Sequence, residues 1–359
     1  MCNVLKLSIL SLALIFSTTA AAKNESLYLK RVSCSDPQMA GAEAFSLLIP
    51  KDWHFTCHVD WNIQNVMPSY GLKVESPDGS HVFEIMPGQG FYWNHNPWVQ
   101  QLKPVGSVYM GTYVYPPISA EQYIEQVFIP QYRGHVQNLQ KKLLKPLPEL
   151  KQRMYNSLAR AVTIPAQIDS DAVEFTISYT DHSKSRDERI TAALYYIQVA
   201  GGVVNWGVDL NGAITTKSGG LPKVEGVMSA IGNSFVENRV WRSKADQLKQ
   251  MFTQKQISNI HHLGELSRQF SQMSNEIADD QWRGYQQRST TQDAMAERYS
   301  HSLRGTEQYT NPIDNRSIDL PSGYNQTWTN GTDYILSNDP NFDPSIEYNQ
   351  SWTPLKPTH

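Results

Sequence analysis

A chain of 359 residues with 40% hydrophobic and 18% charged residues has room for two domains and a real core. Its net charge of -3 gives the chain as a whole no electrostatic case for nucleic acid or for a membrane. Nine Trp and 18 Tyr favour aromatic cores and stacked surfaces.

Residues 1–22 read as a secretory signal peptide. Lys6 supplies the positive start, and Leu7 to Phe16 is an apolar run too short to span a bilayer. Ala20-Ala21-Ala22 supplies the small residues of a cleavage site. Cys2 leaves with this leader, so Cys34 and Cys57 remain. In an oxidising compartment two cysteines suggest one disulfide, the rival being two buried thiols.

Residues 43–90 read as an antiparallel sheet. Phe45 to Ile49 runs into a turn at Pro50-Lys51-Asp52. Trp53, Phe55, Cys57, Val59 and Trp61 then alternate with His54, Thr56, His58, Asp60 and Asn62, the period of a half-buried strand. Gly71 to Glu75 and His81 to Ile85 flank Pro77-Asp78-Gly79, which is hairpin chemistry. Phe91 to Trp98, aromatic and broken by Pro97, reads as a loop.

Ser119-Ala120-Glu121-Gln122 opens a helix with a cap and an acidic first turn. Tyr123, Val127 and Phe128 form its apolar face and Pro130 limits it. Residues 133–160 read as helical, interrupted at Pro146 and Pro148. Strands resume over Ala172 to Tyr179, Ile190 to Val199 and Val203 to Val208, with a turn at Gly201-Gly202. A helix follows from Leu221 through Val227, Ile231 and Phe235.

From Trp241 to Arg304 the composition turns to Gln, Ser and mixed charge without Pro. Leu263, Leu266, Phe270, Met273 and Ile277 recur at 3,4,3,4 spacing, the seam of a coiled coil or helical hairpin. As one helix this region would reach about 90 Å at roughly 1.5 Å per residue, so fold-back or self-association is expected. His261 and His262 are adjacent and diverge on a helix, a poor ligand pair.

In the tail, Tyr324-Asn325-Gln326-Thr327-Trp328-Thr329 recurs as Tyr348-Asn349-Gln350-Ser351-Trp352-Thr353. Asn330-Gly331 between them predicts a hairpin with a type I′ turn, since both residues tolerate positive φ. An aromatic hairpin made twice reads either as a presented surface or as a clasp docking back on its own chain. Asn-x-Ser/Thr sites at Asn24, Asn315, Asn325, Asn330 and Asn349 matter only in a host that glycosylates.

Two resemblances follow from these residues. Phe45 to Pro50 with Trp53, the Ser119 helix, the later strands and Gly232-Asn233-Ser234-Phe235 make residues 43–237 similar to a PsbP/Mog1-like domain. That likeness implies an antiparallel sheet flanked by helices and a binding or assembly role. Pro148-Glu149-Leu150, the Gln-rich region, Leu320 to Tyr324, Trp328, Asn330-Gly331, Tyr334 to Ser337 and Phe342-Asp343-Pro344 resemble a family of exported bacterial proteins. That second resemblance covers nearly the whole mature chain and implies an envelope or secreted location without an activity.

The chemistry-bearing motifs are few. Gly-x-Ser-x-Gly, His-Glu-x-x-His, Walker A, Gly-x-Gly-x-x-Gly and Cys-x-x-Cys do not occur, so no catalytic residue, metal set or cofactor is assigned. His58 and Asp60 share a strand face about 6.6 Å apart, within reach of one metal ion, with His54 twice as far; a solvated polar face is the preferred reading of them. Arg133, Lys141, Lys142, Lys145, Lys151, Arg153 and Arg160 stand against Glu149 alone, a basic surface for peripheral contact with an anionic partner or a plain solvated helix face. The acidic tail offers it an internal partner. Tyr92, Trp93, Trp98, Trp328, Tyr334 and Trp352 are the aromatics expected to meet a sugar or a protein.

The sequence thus predicts an α+β chain. Residues 1–22 are the leader, 23–237 an antiparallel sheet domain flanked by helices, 238–305 a long Gln-rich helical region and 306–359 an aromatic β-hairpin tail. The expected role is an exported binding or assembly protein meeting an unidentified protein or envelope component. The alternatives are a secreted hydrolase with dispersed catalytic residues and a self-associating structural protein.

Overall fold

The computed structural model describes residues 26–62, 67–109, 111–162, 164–254 and 305–358. The expected leader and the Leu263–Ile277 seam with His261-His262 lie outside the described residues.

In chain order, β1 (Leu27–Asp36) and β2 (Ala42–Pro50) are joined by a short turn in which Asp36 Oδ1 accepts from the Gln38 N–H. β3 (His54–Asn62) pairs with β4 (Met67–Glu75), and β4 with β5 (His81–Ile85). The turn between β4 and β5 is closed by Asp78 Oδ1, which accepts from Ser76 Oγ and from the Ser80 N–H and hydroxyl. β6 (Gln89–Asn94), α1 (Pro97–Leu102), β7 (Val108–Tyr109) and β8 (Thr112–Val114) follow. α2 (Ala120–Tyr123) begins with the expected reciprocal cap between Ser119 and Gln122. It runs through a π-turn, Ile124–Phe128, into α3 (Ile129–Arg133), so Pro130 does not end the helix. The widened turn carries the chain past it.

β9 (Gln137–Pro146) and α4 (Pro148–Ala161) lead to three long strands, β10 (Gln167–Asp181), β11 (Lys184–Val199) and β12 (Val203–Lys217). Then come α5 (Leu221–Asn233), β13 (Val236–Glu237) and α6 (Arg239–Gln254). The C-terminal part adds β14 (Thr306–Thr310), β15 (Ser317–Pro321), β16 (Gln326–Thr329), β17 (Tyr334–Ser337), α7 (Pro344–Glu347) and β18 (Thr353–Leu355). Cys34 on β1 and Cys57 on β3 are disulfide-bonded, as the cysteine count predicts. No helix among the described residues is long and apolar enough to cross a membrane.

The described chain divides into two compact units. The first takes residues 54–221 and 242–254. Its ten-stranded sheet runs β3-β4-β5-β12-β11-β10-β9, with β6 against β12 and the short β7 and β8 beyond it, and it curls into a half-barrel. One face buries Tyr123, Ile124 and Phe128 of the α2–α3 helix against Phe175, Ile177, Ile190 and Trp206. The other takes Leu150, Met154 and Leu158 of α4 against Ala172, Ala193 and Ile197. Three side-chain donors on the first face find partners. Trp206 Nε1 donates to Tyr115 O, Tyr196 Oη to Ile118 O and Asn211 Nδ2 to Tyr123 Oη, which avoids the cost of an unpaired buried group.

The second unit takes residues 26–53, 222–241 and 305–358. Its six-stranded sheet has the order β13-β2-β1-β17-β16-β18. The first described strand therefore lies beside the C-terminal hairpin, with Leu27 opposite Leu336 and Leu29 opposite Tyr334. Leu29, Leu48, Tyr309, Leu320, Tyr334 and Leu336 form its core. Within this unit Trp241 Nε1 donates to Asp36 Oδ2.

These findings correct the expected α+β class and its arrangement of sheet, long helical region and separate tail. The described residues are mostly antiparallel β-sheet with few helices. Residues 137–146, expected to be helical, are a strand, because pairing with β10 from Pro146–Val173 to Gln137–Thr180 overrides the helical preference of Lys, Leu and Gln. Of the long helical region, only Arg239–Gln254 is described as helix. The tail is not an appended hairpin but supplies half of a sheet. Its Asn330-Gly331 turn is a four-residue loop between Thr329 and Tyr334, not a two-residue type I′ turn. Phe91 to Trp98 is no loop: it holds most of β6 and the start of α1.

Candidate functional site

Three sets of side chains stand out. The first is an apolar lobe on the first unit, built from α1, the turn after it, β7 and β8. Asn94 Oδ1 accepts from the Asn96 N–H, Asn96 Oδ1 caps α1 through the Trp98 N–H, and Pro97 starts the helix. Four residues apart on one turn of helix, Trp98 and Leu102 share a face and are 70% and 64% exposed. After Pro104 the chain reverses at Gly106, whose φ of 86° suits glycine. Val108 then pairs with Tyr113 across β7 and β8. Val105, Val108 and Tyr113 are 55%, 56% and 51% exposed.

The lobe is anchored from beneath. β6 pairs with β12 on one side and with β8, in parallel, on the other. Phe91 stacks on Trp206 at 4.3 Å, and Tyr92 meets Tyr109 at 4.7 Å. Lys103 Nζ lies 4.7 Å over the Tyr109 ring. Of the expected contact aromatics in this unit, Trp98 alone is strongly exposed. Tyr92 is half-buried on Tyr109, and Trp93 packs against the core.

The second set is the expected tail surface, which turns inward. Tyr334 and Trp352 are buried, and Trp328 is half-buried against Phe342 at 5.6 Å. Tyr28 of β1 meets Tyr348 and Trp352 edge-on at 5.2 and 5.6 Å. Its hydroxyl donates to Asp333 Oδ2 at 2.8 Å, and the Arg31 N–H donates to Asp333 Oδ1. Lys51 Nζ sits over both the Tyr28 and Tyr348 rings. Burial, then Asp333, push the Tyr28 phenol above its ordinary value. The two copies of the repeat differ in structure. The first forms β16, while the second bends through Asn349 at φ 50° and joins β18, so that Thr329 faces Thr353.

The third set is charged. The expected basic surface is divided. Arg133 is not on the surface: its Nε and Nη2 hold buried Glu188 at 2.8 Å each, and Nη2 reaches Glu84 at 2.7 Å. Burial raises the Glu188 carboxyl, and Arg133 opposes that rise. Lys141 pairs with Glu125, and Lys142 with Asp187 at 2.8 Å. Lys145 and Lys151 are exposed and Arg153 is half-buried. Lys141, Lys142 and Lys145 lie on β9, at the end of the sheet order, where lysines discourage a further strand from pairing.

His58 Nε2 and Asp60 Oδ2 are 3.4 Å apart and exposed. No group of three or more possible metal ligands occurs among the described residues.

Asp209 was not singled out by any motif. It is the extra residue of a bulge, since Ala193 pairs with Leu210 and Leu194 with Val208. Burial, opposed by Arg242, pushes its carboxyl up to about 6, so it can take and release a proton in mildly acidic water. Burial and Asp209 together raise Tyr195. The Tyr195 hydroxyl lies over Gly207, where an added Cβ would meet it at 2.9 Å and Gln89 O at 2.4 Å.

The lobe had a signal in the sequence that motif reading passes over. Between Glu84 and Glu121 the only formal charge is Lys103. No protein-family model and no curated protein matches the chain.

Proposed function

We propose that this chain is an exported binding or assembly protein whose contact surface is the apolar lobe from Trp98 to Tyr113. One observation carries the reading: among the described residues, five of the eleven exposed large hydrophobic side chains fall in that short stretch. Apolar side chains exposed together in this way mark interaction sites, whereas scattered ones need no explanation. The leader-like start and the resemblance to exported bacterial proteins support export, and the Cys34–Cys57 disulfide fits an oxidising compartment.

Mixing the purified mature chain with bacterial envelope fragments and sedimenting them tests the contact surface. The wild-type chain should pellet, and a variant carrying Trp98→Ser with Leu102→Ser should stay in solution with an unchanged circular dichroism spectrum. Equal retention of the two would overturn the assignment. A second reading, a hydrolase with dispersed groups, has the Asp209 carboxyl at about 6 in its favour, a value suited to general acid–base work.

A further inference from the structure

Resting on the reading of the lobe as a contact surface, we infer that its partner is a lipid bilayer, into whose headgroup–acyl boundary Trp98, Leu102, Val105, Val108 and Tyr113 insert. Three observations single out lipid.

The first is charge. A protein interface has a polar rim around its apolar centre, and a sugar needs hydrogen-bonding groups beside its stacking ring. The stretch from Glu84 to Glu121 carries one formal charge, Lys103, and the lobe exposes Trp98, Leu102, Val105, Val108 and Tyr113 beside the uncharged Gln101. A bilayer penalises each inserted charge and tolerates this composition. Lys103 folds its ammonium over Tyr109, where a lysine can keep to the water side.

The second is residue type. Trp and Tyr favour the membrane–water interface. Here Trp98 and Tyr113 are joined by Leu102, Val105 and Val108, which belong in hydrocarbon.

The third is the backbone. Lipid offers no partner to an open N–H or C=O, and the lobe satisfies several of its own. The Trp98 N–H is capped by Asn96, Lys103 N–H donates to Val99 O, Gly106 N–H to Val114 O and Val114 N–H to Ser107 O. Ser107 Oγ covers Pro104 O and Thr112 Oγ1 covers Tyr109 O. Pro97 and Pro104 have no N–H to satisfy. The lobe lies on the membrane: α1 has six residues and a crossing helix needs about 20.

Because burial and not charge drives the contact, the chain should pellet with sucrose-loaded phosphatidylcholine vesicles. Adding phosphatidylglycerol or raising the salt should change the partition by no more than about fivefold, since only one lysine contributes. Trp98→Ser with Leu102→Ser should lower it at least about tenfold while the urea midpoint stays put. Trp98→Phe should keep binding and lose the quenching of fluorescence by brominated acyl chains. Pelleting only with anionic vesicles, abolished by salt, would overturn the inference. So would retention on envelope fragments without vesicle binding, which leaves the contact surface standing with a non-lipid partner. Loss of both would sink the two readings together. A mass that doubles with concentration, lost in the double variant and unaccompanied by vesicle binding, would replace the bilayer with a second copy of the chain.

Discussion

The lobe around Trp98 and the tail around Trp328 and Trp352 are both rich in aromatics and bounded by turns, yet they end in opposite environments. The tail carries its own docking chemistry. Asp333 accepts from Tyr28 and from the Arg31 N–H, β17 pairs with β1, and all four residues of β17 are buried. The lobe rests on Tyr92 and Phe91 from one side only and leaves the other open. Aromatic density and repetition therefore mark packing in this chain. The outward lobe is marked instead by the near absence of charge, with Lys103 its one formally charged residue.

The largest expected effect concerns charge read as surface but held inside. Arg133→Ala leaves Glu188 buried without its bidentate partner and should cost roughly 3–5 kcal/mol in urea unfolding. Lys145→Ala, at an exposed position of the same basic segment, should cost less than about 0.5 kcal/mol. Similar costs for the two would break the distinction between anchored and presented residues.

The same contrast can be drawn with one residue type. Leu336→Ala in the tail core should lower stability by roughly 2–5 kcal/mol. Leu102→Ala in the lobe, where the side chain is 64% exposed, should change it by no more than about 0.5 kcal/mol.

Acidity separates stability from the lobe's contact. The Asp209 carboxyl is raised from 3.8 to about 6 in the folded chain. Its contribution to stability is full below about pH 4, falls as pH rises through about 6, and is constant above that. Asp209→Asn should therefore gain roughly 2–3 kcal/mol at pH 7.5 and nothing near pH 3.5. Vesicle binding by the wild-type chain should stay flat between pH 5 and pH 8, since the stretch from Trp98 to Tyr113 carries neither a carboxylate nor a histidine. A gain that persists at acid pH would remove Asp209 as the titrating group.

Much of the local structure is legible in the residues. The alternation from Trp53 to Trp61, the Ser119 cap, the strands around Ala172, Ile190 and Val203 and the cysteine pair all appear where the local pattern and the cysteine count place them. What is not legible depends on distant partners. Gln137 to Pro146 has helical composition and becomes β9 because β10 offers it a ladder. Nothing near Leu27 announces that it will face Leu336. Pro130 reads as a stop, yet the π-turn before it carries the helix on. Of the candidate site, Trp98 could be named from sequence, but its 70% exposure could not. Asp209 escaped because a bulge is a property of pairing and not of the residues around it.

The most direct measurement is co-sedimentation of the Trp98→Ser/Leu102→Ser variant with phosphatidylcholine vesicles, read beside its urea midpoint. An unchanged midpoint with pelleting reduced at least about tenfold is the expected result. A variant that pellets like the wild-type chain would contradict the assignment of the lobe as the lipid-facing surface.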